Sequence, residues 1–267
     1  MNEPPRQPAS DEYGLPDAAE PVFDYRDDSA LKNHPDYRAA KAGDIDAAAR
    51  LVRDRITPAS LEASRKLGPD VLFVPVHAEE ASGNNQIPNM LALAHAQAAG
   101  AQVWRGVMQI NKVFHTGAGP MERLMNRAEF DGPVQAGGRY VLVDDVTTMG
   151  STLAALAAHI QRHGGKVEGA RLLVNASRGG KIAASPKVIK ELEARHGQAL
   201  REIIGIGAGQ LTGPESQYLL NFRSADEIRG RAAKAQSERG ARLRAKEILS
   251  RRTLGVEEAA HEKTGAP

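Results

Sequence analysis

The chain has 267 residues, 41% apolar and 25% charged, with 35 Lys and Arg against 33 Asp and Glu and a net charge of +2. That length buries a sizeable core as one α/β domain with extensions or as two small domains, and the charge balance gives no global pull toward nucleic acid or membrane. The absence of cysteine excludes disulfides, thiolate chemistry and cysteine-ligated zinc.

Residues 1–28 are rich in Pro, Ala and acids, a composition that predicts a mobile leader. They lack the basic flank and apolar stretch of a signal peptide, and no later run is long enough to span a bilayer, so a cytoplasmic protein is expected. Residues 29–68 read as a helical extension. Ala48, Ala49, Leu51, Val52 and Ile56 fall at helical spacing behind Asp44 as a cap, and a second helix is predicted over SLEASRKL.

Residues 69–175 read as the core. The apolar run VLFVPV predicts a buried strand, IPNMLALAHAQAAG a helix and AQVWRGVMQI a second strand; after a long polar stretch come the strand YVLVDD, a helix from Ser151 and the strand VEGARLLV. This alternation predicts an α/β fold with a largely parallel central sheet and helices on both faces. Residues 176–222, with KVIKELEARHG as a helix and REIIGIG as a strand, are expected to complete the sheet and form a hood. Residues 223–267 form a basic terminal helix and tail, a hood element or homodimer contact. Arg229, Arg231, Lys234, Arg239, Arg242, Arg244 and Lys246 outweigh its acids. A solvated face is the first reading of that run and a nucleic-acid contact the second.

Two carboxylates, Asp144 and Asp145, end an apolar strand directly before VTTMGST. Ionised side by side, they are costly without a polar or cationic partner. Residues 146–152 can wrap into a turn of inward N–H groups, with Gly150 allowing close backbone approach and a helix N-terminus following, which is an anion nest. An anion site one turn from two acids suits a ribose 5-phosphate: hydroxyls on the carboxylates, phosphate on the nest.

VLVDDVTTMGST resembles the phosphoribosyl-pyrophosphate (PRPP) signature of the type I phosphoribosyltransferases. Upstream, Pro75-Val76-His77, Gly83-Asn84-Asn85-Gln86 and Leu91-Ala92, then His115-Thr116-Gly117, Glu122-Arg123, Asn126 and Glu129-Phe130, resemble the ComF-like branch, without its zinc ribbon. The resemblance implies a type I phosphoribosyltransferase fold and transfer of phosphoribose from PRPP to a nitrogenous base with release of pyrophosphate. It gives Asp144 and Asp145 the ribose and its developing positive charge, and Thr147, Thr148, Met149, Gly150, Ser151 and Thr152 the 5-phosphate. Val76 and His77 would form the pyrophosphate loop, Arg123 a lid, and Mg2+ would be held indirectly by the acids through PRPP and water. Glu79 and Glu80 depart from the usual basic loop, leaving charge compensation to magnesium or to Lys112, Arg123 and Arg127. They keep alive a second reading, a non-catalytic PRPP or nucleotide sensor or a ComF-like accessory to DNA handling. His159 and His163 lie four apart on one predicted helix but lack a third ligand, so a solvated face is the better reading. GIGAGQ reads as a tight turn.

Overall fold

The computed structural model describes residues 13–16, 19–77, 79–80, 83–111, 118–177, 179–242 and 244. Strand β1 (Pro21–Tyr25) is followed by helices α1 (Ser29–Lys32), α2 (Tyr37–Lys41), α3 (Ile45–Arg55) and α4 (Pro58–Arg65). Then come β2 (Val71–Pro75), the short β3 (Glu79–Glu80) and β4 (Gly83–Asn84), α5 (Ile87–Ala99), β5 (Gln102–Val103), β6 (Met108–Gln109), α6 (Pro120–Met125) and β7 (Phe130–Asp131). The chain continues through β8 (Arg139–Thr147), α7 (Ser151–Arg162), β9 (Lys166–Asn175), α8 (Pro186–Ile203) and α9 (Gly213–Leu220). Residues 225–242 are helical, α10.

Five strands form one parallel sheet in the order β1-β9-β8-β2-β5. The fold is therefore α/β, with a parallel sheet between two helical layers. One core packs α7 against Tyr140, Leu142, Ala170 and Leu172; the opposite core packs α3 and α5 against Val71, Phe73, Val141 and Val143. The helical extension forms as its sequence dictates. Asp44 accepts from Ala47 N at 2.9 Å to start α3, and Thr57 caps α4 ahead of Pro58.

Three expectations are corrected. Residues 21–25, assigned to a mobile leader, are the edge strand β1, paired along β9 from Pro21↔Ala170 to Tyr25↔Val174. Asp24 fixes β1 to α4 by accepting from both the amide and the hydroxyl of Thr57, at 3.0 and 2.6 Å. AQVWRGVMQI is not one strand. Its first part is β5 on the sheet, and its second is β6, which turns away to pair antiparallel with β7. Finally, REIIGIG holds no strand: α8 runs through Ile203 and a short 3-10 turn (Ala208–Gln210) follows. Residues 176–222 thus add no strand to the sheet among the described residues. With α6 and α10 they build a third, helical core that includes Met121, Leu124, Leu192, Leu200, Leu219 and Ile228.

Candidate ligand-binding site

A strand points successive side chains to opposite faces, and in β8 this rule separates the two acids. Asp144 lies on the α7 side, where it lines a 190 Å³ cavity with Arg123 and residues 146–152. Asp145 turns to the other face. Lys41 Nζ, from the end of α2, stands 2.9 Å from its Oδ2, and Asn85 Nδ2 donates to the same oxygen at 3.3 Å. Both carboxylates are buried, and their charge states are pushed apart. Burial, then the neighbouring Asp145 charge, raises Asp144 well above the usual carboxylate range. Burial also works against Asp145, but Lys41 and the amide of Asn85 outweigh it and hold that carboxyl low. The first ionisation therefore favours Asp145, beside Lys41, and a second charge on Asp144 is opposed.

The turn itself is clamped from behind by distant residues. Gly150 has φ +78°, and a Cβ there would lie 2.1 Å from Ile182 Cγ2, so only glycine fits. Thr212 Oγ1 donates to Met149 O at 2.5 Å. Ser151 Oγ donates to Glu215 Oε1 at 2.6 Å, so its hydroxyl is engaged behind the turn. Thr147 is buried, Thr148 exposed, and Met149 and Thr152 half-buried. No side chain caps α7, so its first-turn N–H groups lack intrahelical acceptors and make a positive pole at the cavity. Arg123 covers it, donating from Nη1 to Thr148 Oγ1 at 2.8 Å and from Nε to Ala118 O at 3.1 Å. Substituting Gly150→Ala is expected to cost more than about 1 kcal/mol of stability in denaturant melts and to displace the turn.

The remaining predicted residues lie elsewhere. Val76 N donates to Val143 O at 2.7 Å, extending β2 along β8. The His77 ring sits between the side-chain amides of Asn84 and Asn89, each 3.3 Å away. Neither residue lines the 190 Å³ cavity. Glu79 and Glu80 pair with Asn84 and Gly83 as the β3–β4 hairpin. Lys112, His115, Thr116 and Gly117 lie outside the described residues. Arg127, one of the cations expected to meet pyrophosphate, is instead paired with the buried Glu215 at 2.6 Å. His159 and His163 bond to backbone carbonyls of Gly132 and His159, at 3.0 and 2.8 Å. The acids do not fit a resident magnesium. Only Asp144 faces the cavity, Asp145 is matched by Lys41, and no three potential ligands cluster among the described residues.

Sequence reasoning missed Lys41, Thr212 and Glu215, and quoted Asn85 only as part of the resemblance, without its contact to Asp145. Thr212-Gly213-Pro214-Glu215 carries the capping-box spacing, and both of its reciprocal bonds form at the start of α9. That signal was readable, whereas nothing near Lys41 marks it as a partner of Asp145. Beside the turn a second cavity of 720 Å³, lined by Met149, Val188, Pro214 and Tyr218 among others, shares Thr148 and Met149 with the first.

Fold and site define an α/β protein with an uncapped helix N-terminus and an arginine converging at the carboxyl end of a parallel sheet. No family model matches the chain. It is 39% identical over 215 residues to Protein TraN of Escherichia coli, covering 78% of this chain and 48% of the relative. It is 35% identical over 130 residues to an uncharacterized protein of Haemophilus influenzae, covering 48% of this chain and 29% of that one. The chain thus spans about half, or less, of the curated relatives it matches. These similarities correct the expectation of a phosphoribosyltransferase of nucleotide metabolism. The relative that aligns with most of this chain is a Tra protein, and its name carries no such activity. Among the described residues no helix is long and apolar enough to cross a membrane.

Proposed function

We propose that this chain is a phosphate-binding component of conjugal transfer, with a sheet of the type I phosphoribosyltransferase kind used for ligand binding. The observation that supports the binding role is the 190 Å³ cavity joining Arg123, Thr148, Gly150 and the uncapped start of α7. Backbone N–H groups at a helix N-terminus and a guanidinium are suited to a phosphate monoester. The 720 Å³ cavity alongside would receive the body of the ligand. Asp144 faces the same cavity, and burial and the Asp145 charge oppose its ionisation. The conjugal role rests on the similarity to Protein TraN.

Calorimetric titration with inorganic phosphate and with ribose 5-phosphate tests the binding role. Saturable binding is expected, weakened at least tenfold in Arg123→Ala, with transfer frequency falling in cells that carry the same variant. Undiminished phosphate affinity in that variant would falsify the site.

A further inference from the structure

A cavity of 710 Å³ lies between the β6–β7 hairpin, the turn after α8 and α10, and it shares no lining residue with the two cavities beside the turn after β8. Two guanidiniums line it from different elements, Arg162 at the end of α7 and Arg239 on α10. Arg239 is half-buried, and among the described residues it has neither an ion pair nor a hydrogen-bond acceptor. Every other half-buried or buried arginine among them has a partner. Arg127, Arg139 and Arg242 face the carboxylates of Glu215, Glu168 and Glu122. Arg55, Arg123 and Arg171 donate to backbone carbonyls, and Arg231 faces the Tyr218 hydroxyl. Drawing a guanidinium partly out of water without an acceptor is costly, so Arg239 is short of an anion.

Arg162 is exposed, and its place in the last turn of α7 suits a cation without using its N–H donors. Arg127 in the same lining is neutralised by Glu215. Arg162 and Arg239 therefore stand against a single acid of the lining, Glu129, and positive charge is in excess. Met125, Ile204 and Ile206 supply an apolar wall, and the volume suits a small molecule. One carboxylate, with two oxygens, is satisfied by one guanidinium fork, whereas two forks call for two charges. We propose that this cavity binds a small organic dianion, its charges seated on Arg239 and Arg162 and its carbon body against the apolar wall. The proposal does not depend on phosphate binding at the turn after β8.

Calorimetric titration with phenyl phosphate and with isophthalate tests it, in a full chain carrying Arg123→Ala so that binding at the other site is suppressed. Both probes carry two charges on an aromatic body, on one group in the first and on two in the second. The tighter of them shows whether the arginines converge on one group or hold two apart. Saturable binding of at least one probe is expected, with affinity falling at least about tenfold when Arg239→Ala or Arg162→Ala is added. Arg239→Lys keeps part of the affinity, and uncharged benzyl alcohol does not bind. Arg229→Ala, at an arginine already paired with Glu202 and Asp226, matches the parent. The bound probe should also raise the melting temperature of the parent but not of Arg239→Ala, and the same melts show that this variant is folded. Absence of saturable binding by either probe, undiminished affinity in Arg239→Ala, or an equal loss in Arg229→Ala overturns the proposal.

Discussion

Replacing Asp145 by Asn is expected to destabilise the fold by about 3 kcal/mol at neutral pH, because it removes a carboxylate charge that stands 2.9 Å from a lysine that is itself mostly buried. Replacing Asp144 by Asn is expected to be neutral or stabilising at the same pH. In the native protein Asp144 is the acid whose ionisation the fold resists, since burial and the Asp145 charge both oppose it. The two acids also act on stability with opposite sign. Asp144 has a folded pKa above its unfolded value of about 3.9. Its contribution is therefore complete below that pH and is lost as pH rises through the folded value. Asp145 has a lowered folded pKa; its contribution is present above the unfolded value and lost as pH falls through the folded one. Urea denaturation of both variants from acid to mildly alkaline pH should show Asp144→Asn gaining on the native protein as pH rises. The deficit of Asp145→Asn should be fully developed above the carboxylate range. Equal deficits at neutral pH would mean that Lys41 does not discriminate between the two carboxylates.

Glu215→Ala is expected to have an effect as large, about 3 to 5 kcal/mol. Glu215 is fully buried. One oxygen accepts from Arg127 Nη1 and Ser151 Oγ, each at 2.6 Å, and the other from Thr212 N at 2.8 Å. Truncation leaves a guanidinium that is 13% exposed without its counter-charge and strands two further donors. The guanidinium and these two donors belong to three segments, the β7 approach, the start of α7 and the start of α9, so the same carboxylate joins the helical third core to the turn after β8. Thermal melts should register the loss of stability, and phosphate titration should register a weakened turn even in conditions where the variant stays folded. Glu215→Gln keeps the shape and part of the hydrogen bonding, and should fall between the two. A variant Glu215→Ala that melts with the native protein would remove this residue from the account of the site.

The parts of the fold legible from sequence are those set by local periodicity. The apolar runs of β2, β8 and β9, the amphipathic spacing of α3 and the cap at Asp44 each depend on neighbours within a few residues, and each element forms where expected. The shape of the turn after β8 was legible for the same reason, since Gly150 and the start of α7 are contiguous. Other features depend on distant partners. PVFDY is too short to announce a strand, and its place is decided by β9 and by Thr57. VWRGVMQI has strand character throughout, yet it bends at Gly106, where Gly132 packs so closely that a Cβ on Gly132 would lie against the Gly106 carbonyl. IIGIG is apolar because it meets α10 and the third core, a burial that a strand and a helix end satisfy equally well. Lys41 lies 104 positions before Asp145, and no pattern near either residue predicts their meeting.

The place of β1 bears on how this protein is made. Residues 21–25 leave the ribosome well before β9 (Lys166–Asn175), their strand partner among the described residues. Until then Val22, Phe23 and Tyr25 have no ladder to join, and the nascent chain must keep this apolar edge out of wrong pairings. The inner strands β2 and β8 can zip together first, so β1, translated before them, docks after them.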